Sequence, residues 1–397
     1  MTLGFDQVKS HIKQVRRGLY LASGYGFRHC EEIGPRASQA REAFEYRELI
    51  GQTFHTIQGH RAREYLAMQS YIPHVDGVIE LRPVFSCSLA LAKFDVRTGL
   101  LATANNRIVL ESGVDLARIQ NSPMYGSAKR DFSHLPGTYT SIWGLFTHNY
   151  GHWMIECLLR LYALHAGCCP GAKVLMPKDL TPVQEESFRA CLPNNTEVVY
   201  LPRRSRVRVD RFIFLAPPTG GTSFYFAPAA HLDFTRRSIF EHLKLTRQPA
   251  RTNRIFISRR KAGYRYMQNQ DEVCSLLEHY GFKAHDLEDL TFADQVALFY
   301  DAEIVVSPHS SGLINLLFAP KGTKVLEISA LAPEPSFFSL SQALGQRYYY
   351  LFGKEADKSR VFPRRSEEPQ RLRDLINSDF SVDLEELKSV IMEMDND

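Results

Sequence analysis

Between Ala172 and Ser329 the chain alternates short apolar runs with amphipathic ones, and this alternation restricts the fold more than any other feature. "AKVLMP", "TEVVYLP" and "VDRFIFLAPP" read as strands, with "TPVQEESFRACL" and "HLDFTRRSIFEHLKL" as helices among and after them. After the polar, proline-containing "TRQPARTN", taken as a linker, the pattern restarts. "RIFISR", "FKAHDL", "EIVVS" and "TKVLEIS" are strands, and "NQDEVCSLLEHYG", "TFADQVALFYDA" and "GLINLLFA" are helices. Strand–helix alternation predicts a parallel sheet covered by helices, here twice over. Ligands of such sheets sit beyond the carboxyl ends of the strands.

Upstream, "GVIEL", "SCSLALAKFD" and "RIVLES" read as strands and "SQAREAFEYRELIG" as a helix. "HNYGHWMIECLLRLYALHAG" is also helical. Met154, Cys157, Leu158, Leu161 and Leu164 recur at spacings of three and four, and Gly167 stops the run. "VDLEELKSVIMEM" is a further helix, followed by an acidic tail. The resulting division is a mixed N-terminal extension over 1–75, α/β domains over 76–247 and 248–365, and a helix with tail over 366–397.

A chain of 397 residues, 44% hydrophobic and 23% charged, has room for two domains, and a net charge of +4 does not mark a nucleic-acid binder. Arg203, Arg204, Arg206, Arg208 and Arg211 cluster in "LPRRSRVRVDRF". They fit a solvated rim, or contact with an anionic glycan, a lipid-linked pyrophosphate or a membrane surface. Seven scattered cysteines without a CxxC fit a reducing cytosol, and no metal-ligand spacing stands out. The first 27 residues do not read as a secretory signal, and no run of about 18 apolar residues occurs. The expectation is a cytoplasmic protein, with peripheral contact at the inner face of a membrane left open.

Three stretches carry chemistry. "SPHSSG" lies between a strand and a helix. There His309, Ser310, Ser311 and Gly312 combine donors, a close-approach glycine and a helix N-terminus, a seat for phosphate. The alternative is a well-capped helix start, or a hydrolase elbow with Ser310 as nucleophile, although Pro308 stands where the elbow needs glycine. "IFISRRKAGYRYMQN" sets Arg259, Arg260 and Arg265 after a strand, as forks for phosphate oxygens or as surface charges. "THNYGHWMIE" sets His152 and Glu156 four apart on one helix face, with Asn149 and Trp153 beside them. The pair suits proton abstraction from a hydroxyl, and Trp153 suits a sugar face; core packing is the alternative.

Together these stretches resemble glycosyltransferase family 61. "NYGHWMIE", "SRRKAGYRYMQNQ", "QVALFYDA", "HSSGLINLLFAPKG" and "VLEIS" follow the family pattern in order and spacing from Asn149 to Ser329. Ser310-Ser311 stand for the family Gly-Ala, and Gln270 stands for a family Glu. The resemblance implies a GT-B fold of two Rossmann-type doubly wound domains, with 76–247 on the acceptor side and 248–365 binding the nucleotide-sugar. It also implies an inverting transferase with a nucleotide-sugar donor, UDP-linked in the first instance, and a glycan or lipid-linked glycan acceptor in capsular or cell-surface polysaccharide assembly. No cofactor and no metal are expected. Arg259, Arg265, His309, Ser310, Ser311, Gly312 and Asn315 would hold the donor, with Glu327 on the ribose. Glu156 would be the catalytic base, with His152 as the alternative, and Asn149 and Trp153 would face the acceptor. A non-catalytic nucleotide-sugar-binding protein of the same fold is the second reading.

Overall fold

The computed structural model describes residues 29–31, 33, 39, 45–50, 53–68, 76–81, 83–113, 119–120, 122, 124–125, 132–219, 226–261, 265–330, 335–355 and 379–397. The expectations for residues 1–28 and 356–378 lie outside these. Among the described residues the chain divides into two compact units. One takes residues up to 53 with 81–222 and 233–235; the other takes 54–80, 223–232 and 236–397.

The first unit holds a mixed ten-stranded sheet. Its strands include β1 (Val84–Ala90), β2 (Lys93–Asp95), β3 (Ser133–Thr140), β4 (Lys173–Pro177), β5 (Val198–Leu201) and β6 (Arg206–Leu215). β6–β3–β4–β5 run parallel, as strand–helix alternation requires. β1 and β2 lie end to end along β6, antiparallel to it, with Leu91 in the left-handed region (φ 50°) where the line bends. The sheet is therefore not doubly wound throughout. Arg47–Ile50, expected within a helix, is instead a strand antiparallel to β1. There the pairing offered by a neighbouring strand overrides local propensity.

After β3 the chain enters α1, a continuous helical run made of Tyr150–His152, Trp153–Cys157, Leu158–Arg160 and Leu161–His165. Trp153–Cys157 is wound as a π turn, a feature frequent at functional sites. α2 (Pro182–Cys191) follows β4 and opens with a capping box between Thr181 and Gln184.

The second unit contains a five-stranded parallel sheet. β7 (Asn253–Ile257), β8 (Lys283–His285), β9 (Ala302–Pro308), β10 (Lys324–Ser329) and β11 (Arg347–Phe352) stand in the order β8-β7-β9-β10-β11. Its helices include α3 (Gln270–His279), α4 (Phe292–Tyr300), α5 (Ser336–Ala343) and α6 (Leu384–Asn396). Phe256, Val306 and Leu326 of the sheet are buried with Val273 of α3 and Leu387 and Ile391 of α6. The strand order reverses between β7 and β9, and such a reversal opens a crevice outside the carboxyl ends of the two strands. "TRQPARTN" is fastened to this unit: Asp301 accepts from Ala250 N at 2.7 Å and from Arg247 Nη1 at 2.8 Å.

The segment leading from β3 into α1 depends on Gly99. Its φ is 71°, and a Cβ there would lie 2.4 Å from the carbonyl oxygen of Trp143. Gly99→Ala is therefore expected to destabilise the protein by more than about 1 kcal/mol. Urea denaturation of the two proteins measures the difference.

Candidate active site

The loop after β9 is built from the sheet outward. Ser307 and Pro308 still pair with Glu327 and Ile328 of β10, so the loop leaves the sheet level with that strand. His309 N donates to Ile328 O at 2.8 Å, and Arg265 Nη1 donates to His309 O at 3.2 Å. His309 Nδ1 is bonded to Oε1 of Glu327, whose Oε2 accepts the Tyr348 hydroxyl at 2.8 Å. Ser310 is extended (φ −154°, ψ 154°) and precedes the 3-10 helix Ser311–Phe318. Its hydroxyl makes no cap bond but turns inward, 3.4 Å from Ser307 Oγ. Ser311 is exposed at the helix start. A Cβ on Gly312 would meet Leu287 Cδ1 at 2.8 Å and Ile257 Cγ2 at 3.4 Å. The glycine thus lets this turn pack against Leu287 and the end of β7 with no shift of the leucine side chain. Asn315 is buried, and its Nδ2 donates to Gln295 Oε1 of α4 at 3.0 Å.

Across the strand reversal, Arg259 is half-buried just past β7, and its amide donates to Gln270 Oε1 at 3.1 Å. Gln270 Nε2 donates in turn to Ser258 Oγ at 3.2 Å. A Glu at position 270 could accept but not donate, so the amide suits this turn. Arg260 pairs with Asp271 at the surface. Arg265 holds a left-handed backbone (φ 56°), unusual for a long side chain.

In the first unit, Asn149 caps α1 through Oδ1, which accepts from Gly151 N at 2.8 Å and His152 N at 3.4 Å. His152 Nδ1 lies 2.9 Å from Glu156 Oε1, an ion-pair contact outside aligned hydrogen-bond geometry. The side chain of His152 is 20% exposed and that of Glu156 only 4%. Arg160 is buried one turn further on, and its Nε donates to Glu156 O at 2.8 Å. Burial lowers the pKa of Arg160, while Cys157 and Glu156 work against that shift. The same burial pushes the Cys157 thiol up to about 12, so it is not a thiolate nucleophile. Phe146, exposed and at φ 64°, sets its ring 5.5 Å from that of His152.

Residues 150–326 match the family model Glycosyltransferase 61. The resemblance read from the motifs is thus borne out over that segment. Among similar proteins is the EGF domain-specific O-linked N-acetylglucosamine transferase of Mus musculus. It is 26% identical over 146 residues, which are 35% of this chain and 27% of that protein. Its Drosophila melanogaster counterpart is 29% identical over 103 residues, 25% of this chain and 20% of that protein. The protein O-linked-mannose beta-1,4-N-acetylglucosaminyltransferase 2 of Mus musculus is 42% identical over 53 residues, 13% of this chain and 9% of that protein. The matched segment thus spans about a quarter or less of these relatives. The family match and the relatives support a glycosyltransferase.

Against the expectations for glycosyltransferase family 61, the structure brings Arg265, His309, Ser310 and Gly312 to one loop and sets Arg259 on the neighbouring strand end. Several roles are corrected. Glu327 is fully buried and both its oxygens are bonded within the protein, so it does not face a ribose. Trp153 is also fully buried, with Nε1 on Ser187 Oγ at 2.9 Å and its ring 6.1 Å from that of Trp143. It is a core residue and not a sugar platform. Asn315 is buried and braces α4. Ser310 lacks the strained turn of a nucleophile elbow, which removes the geometric basis of the hydrolase reading.

The arginine cluster is largely paired: Arg203 with Asp179, Arg206 with the buried Asp95, and Arg211 with Glu45. Among the described residues no helix is long and apolar enough to cross a membrane. Arg160, Tyr348 and Phe146 were not singled out by sequence. Arg160 did carry a signal, standing four residues beyond Glu156 on the same helical face.

Arg160→Met keeps the length of the side chain but leaves Glu156 without its buried cationic neighbour. Loss of a hydrogen bond from a charged group costs about 1.5–3 kcal/mol. Chemical denaturation at neutral pH is expected to show a loss of that order.

Proposed function

We propose that this protein is an inverting, metal-independent glycosyltransferase that moves a sugar from a nucleotide-sugar to a hydroxyl of a glycan or polysaccharide acceptor of the cell-surface type. The observation that carries the reading is the glycine-closed loop at the β7/β9 reversal, flanked by Arg259 and Arg265. The relatives are named as N-acetylglucosamine transferases, so UDP-N-acetylglucosamine is the first donor to test. The donor-side residues fall within 248–365 and the base-side residues within 76–247, which we propose as the functional halves of a GT-B assembly.

In this mechanism the acceptor hydroxyl attacks the anomeric carbon as the bond to the diphosphate breaks. The base takes the hydroxyl proton, and the nucleoside diphosphate leaves with the bonding electrons. The geometry favours His152 over Glu156 as that base. The imidazole is the more exposed partner and is the one an acceptor hydroxyl reaches, with Oε1 of Glu156 2.9 Å from Nδ1 on its buried side. On the donor side, charge gathering on the diphosphate is met by the arginine forks and by the opening amides of the helix at Ser311, which have no acceptor within their own helix.

A charged hydrogen bond to the diphosphate contributes about 1.5–3 kcal/mol. Calorimetric titration with UDP, in buffer containing EDTA, is expected to show binding to the wild type and at least tenfold weaker binding to Arg259→Ala. Equal affinity in the folded variant removes Arg259 from the site. His152→Gln is expected to bind UDP normally while turnover falls by about a hundredfold or more, the usual worth of a general base. Retained turnover moves the base elsewhere.

A further inference from the structure

The polar contacts behind His309 run inward through three elements. Glu327 lies within β10 with no exposed surface. A carboxylate in that position is tolerated only when its oxygens are bonded. One oxygen takes His309 Nδ1, and the other takes the Tyr348 hydroxyl from β11 at 2.8 Å. Tyr348 is hydrogen-bonded in turn to the side chain of Tyr65, from the helix His60–Met68. Burial, and then the carboxylate, push the Tyr348 phenol well above its ordinary range, so it stays a donor. The Tyr65 ring is wedged 4.8 Å from Phe338 and 5.2 Å from Tyr348, which fixes the far end.

A carboxylate only accepts, so Nδ1 must carry the hydrogen and the tautomer of His309 is set. The Phe337 ring lies 5.2 Å from the imidazole, and backbone bonds hold the residue at both N and O. Nε2 is then the one ring nitrogen not committed to Glu327. It belongs to a loop at the carboxyl end of β9, beside the strand reversal.

Resting on the donor reading above, we propose that Glu327, Tyr348 and Tyr65 form a buried relay that commits Nδ1 of His309 and leaves Nε2 to meet the diphosphate of the nucleotide-sugar. Glu327 and Tyr348 are positioning residues that never touch the ligand. With its hydrogen on Nδ1, the ring meets the diphosphate by taking a second proton from solvent on Nε2, and the imidazolium then donates to the carboxylate on one side and the diphosphate on the other.

The test pairs two measurements. In protein carrying ¹⁵N-histidine, NMR spectra assigned with His309→Asn are expected to show His309 with its proton on Nδ1 before any ligand is added. A neutral ring protonated on Nε2 overturns the relay. UDP titration then closes a double-mutant cycle, which isolates coupling between residues in contact. Glu327→Gln is expected to weaken UDP at least tenfold in the wild-type background and less than twofold in His309→Asn. Tyr348→Phe, which removes one hydroxyl without changing shape, gives the same pattern at about threefold, and carries the test if Glu327→Gln does not fold. An equal loss in both backgrounds, or none in the wild type, overturns the proposal. If UDP does not bind the wild type while the Nδ1 proton is present, the donor reading falls and takes the proposed ligand with it; the tautomer result stands on its own.

Discussion

Parallel strands hydrogen-bonded in register must end on the same side, and that constraint builds the donor-side site. Beyond an irregularity after Asn253, β7, β9 and β10 pair residue by residue toward their carboxyl ends, so the turns after Ile257 and Pro308 emerge side by side. Their separation in sequence is then irrelevant. Arg259 comes from one strand end and His309 to Gly312 from the next. Gly312 packs the second turn against Ile257 and Leu287, where a Cβ would have to displace the tip of the leucine. The apolar sheet and its helices supply the stability, and the loop spends a little of it on burying Glu327.

Each unit also contains one histidine backed by a buried glutamate. In α1 the pair is His152 and Glu156, on one helix face; in the second unit it is His309 and Glu327, on adjacent strand ends. In both, the carboxylate is the more buried partner and the imidazole the more exposed. This order has a physical cause. A carboxylate in an apolar surround needs polar neighbours, and an imidazole can turn one nitrogen to that need while keeping the other for chemistry; at Glu327 the contact is a hydrogen bond, at Glu156 an ion-pair approach. The surroundings differ. Glu156 has Arg160 beside it, whereas Glu327 has the hydroxyl of Tyr348.

The parallel sheet of the second unit was legible because its strands are short, apolar and separated by helices of clear period. Its last strand, Arg347–Phe352, and α5 were not read, since "RYYYLF" and "SFFSLSQA" lack alternation and are aromatic on both faces. The antiparallel part of the first sheet was missed as topology although its strands were read. Partner choice along β6 depends on contacts far apart in sequence. Among site residues, types and spacing located the loop and the His152–Glu156 pair, but spacing cannot report depth. Glu327, Trp153 and Asn315 sit in motif positions yet point into the core. Tyr65 and Tyr348 have no local signal, because they matter only through a carboxylate that another strand brings to them.

A structure of the protein with UDP bound tests the central claim most directly. The account predicts the diphosphate outside the carboxyl ends of β7 and β9, within hydrogen-bonding reach of Nε2 of His309, the amides of Ser311 and Gly312, and the guanidinium of Arg259 or Arg265. A diphosphate bound away from this loop, or one that reaches Glu327 through its ribose, would contradict it.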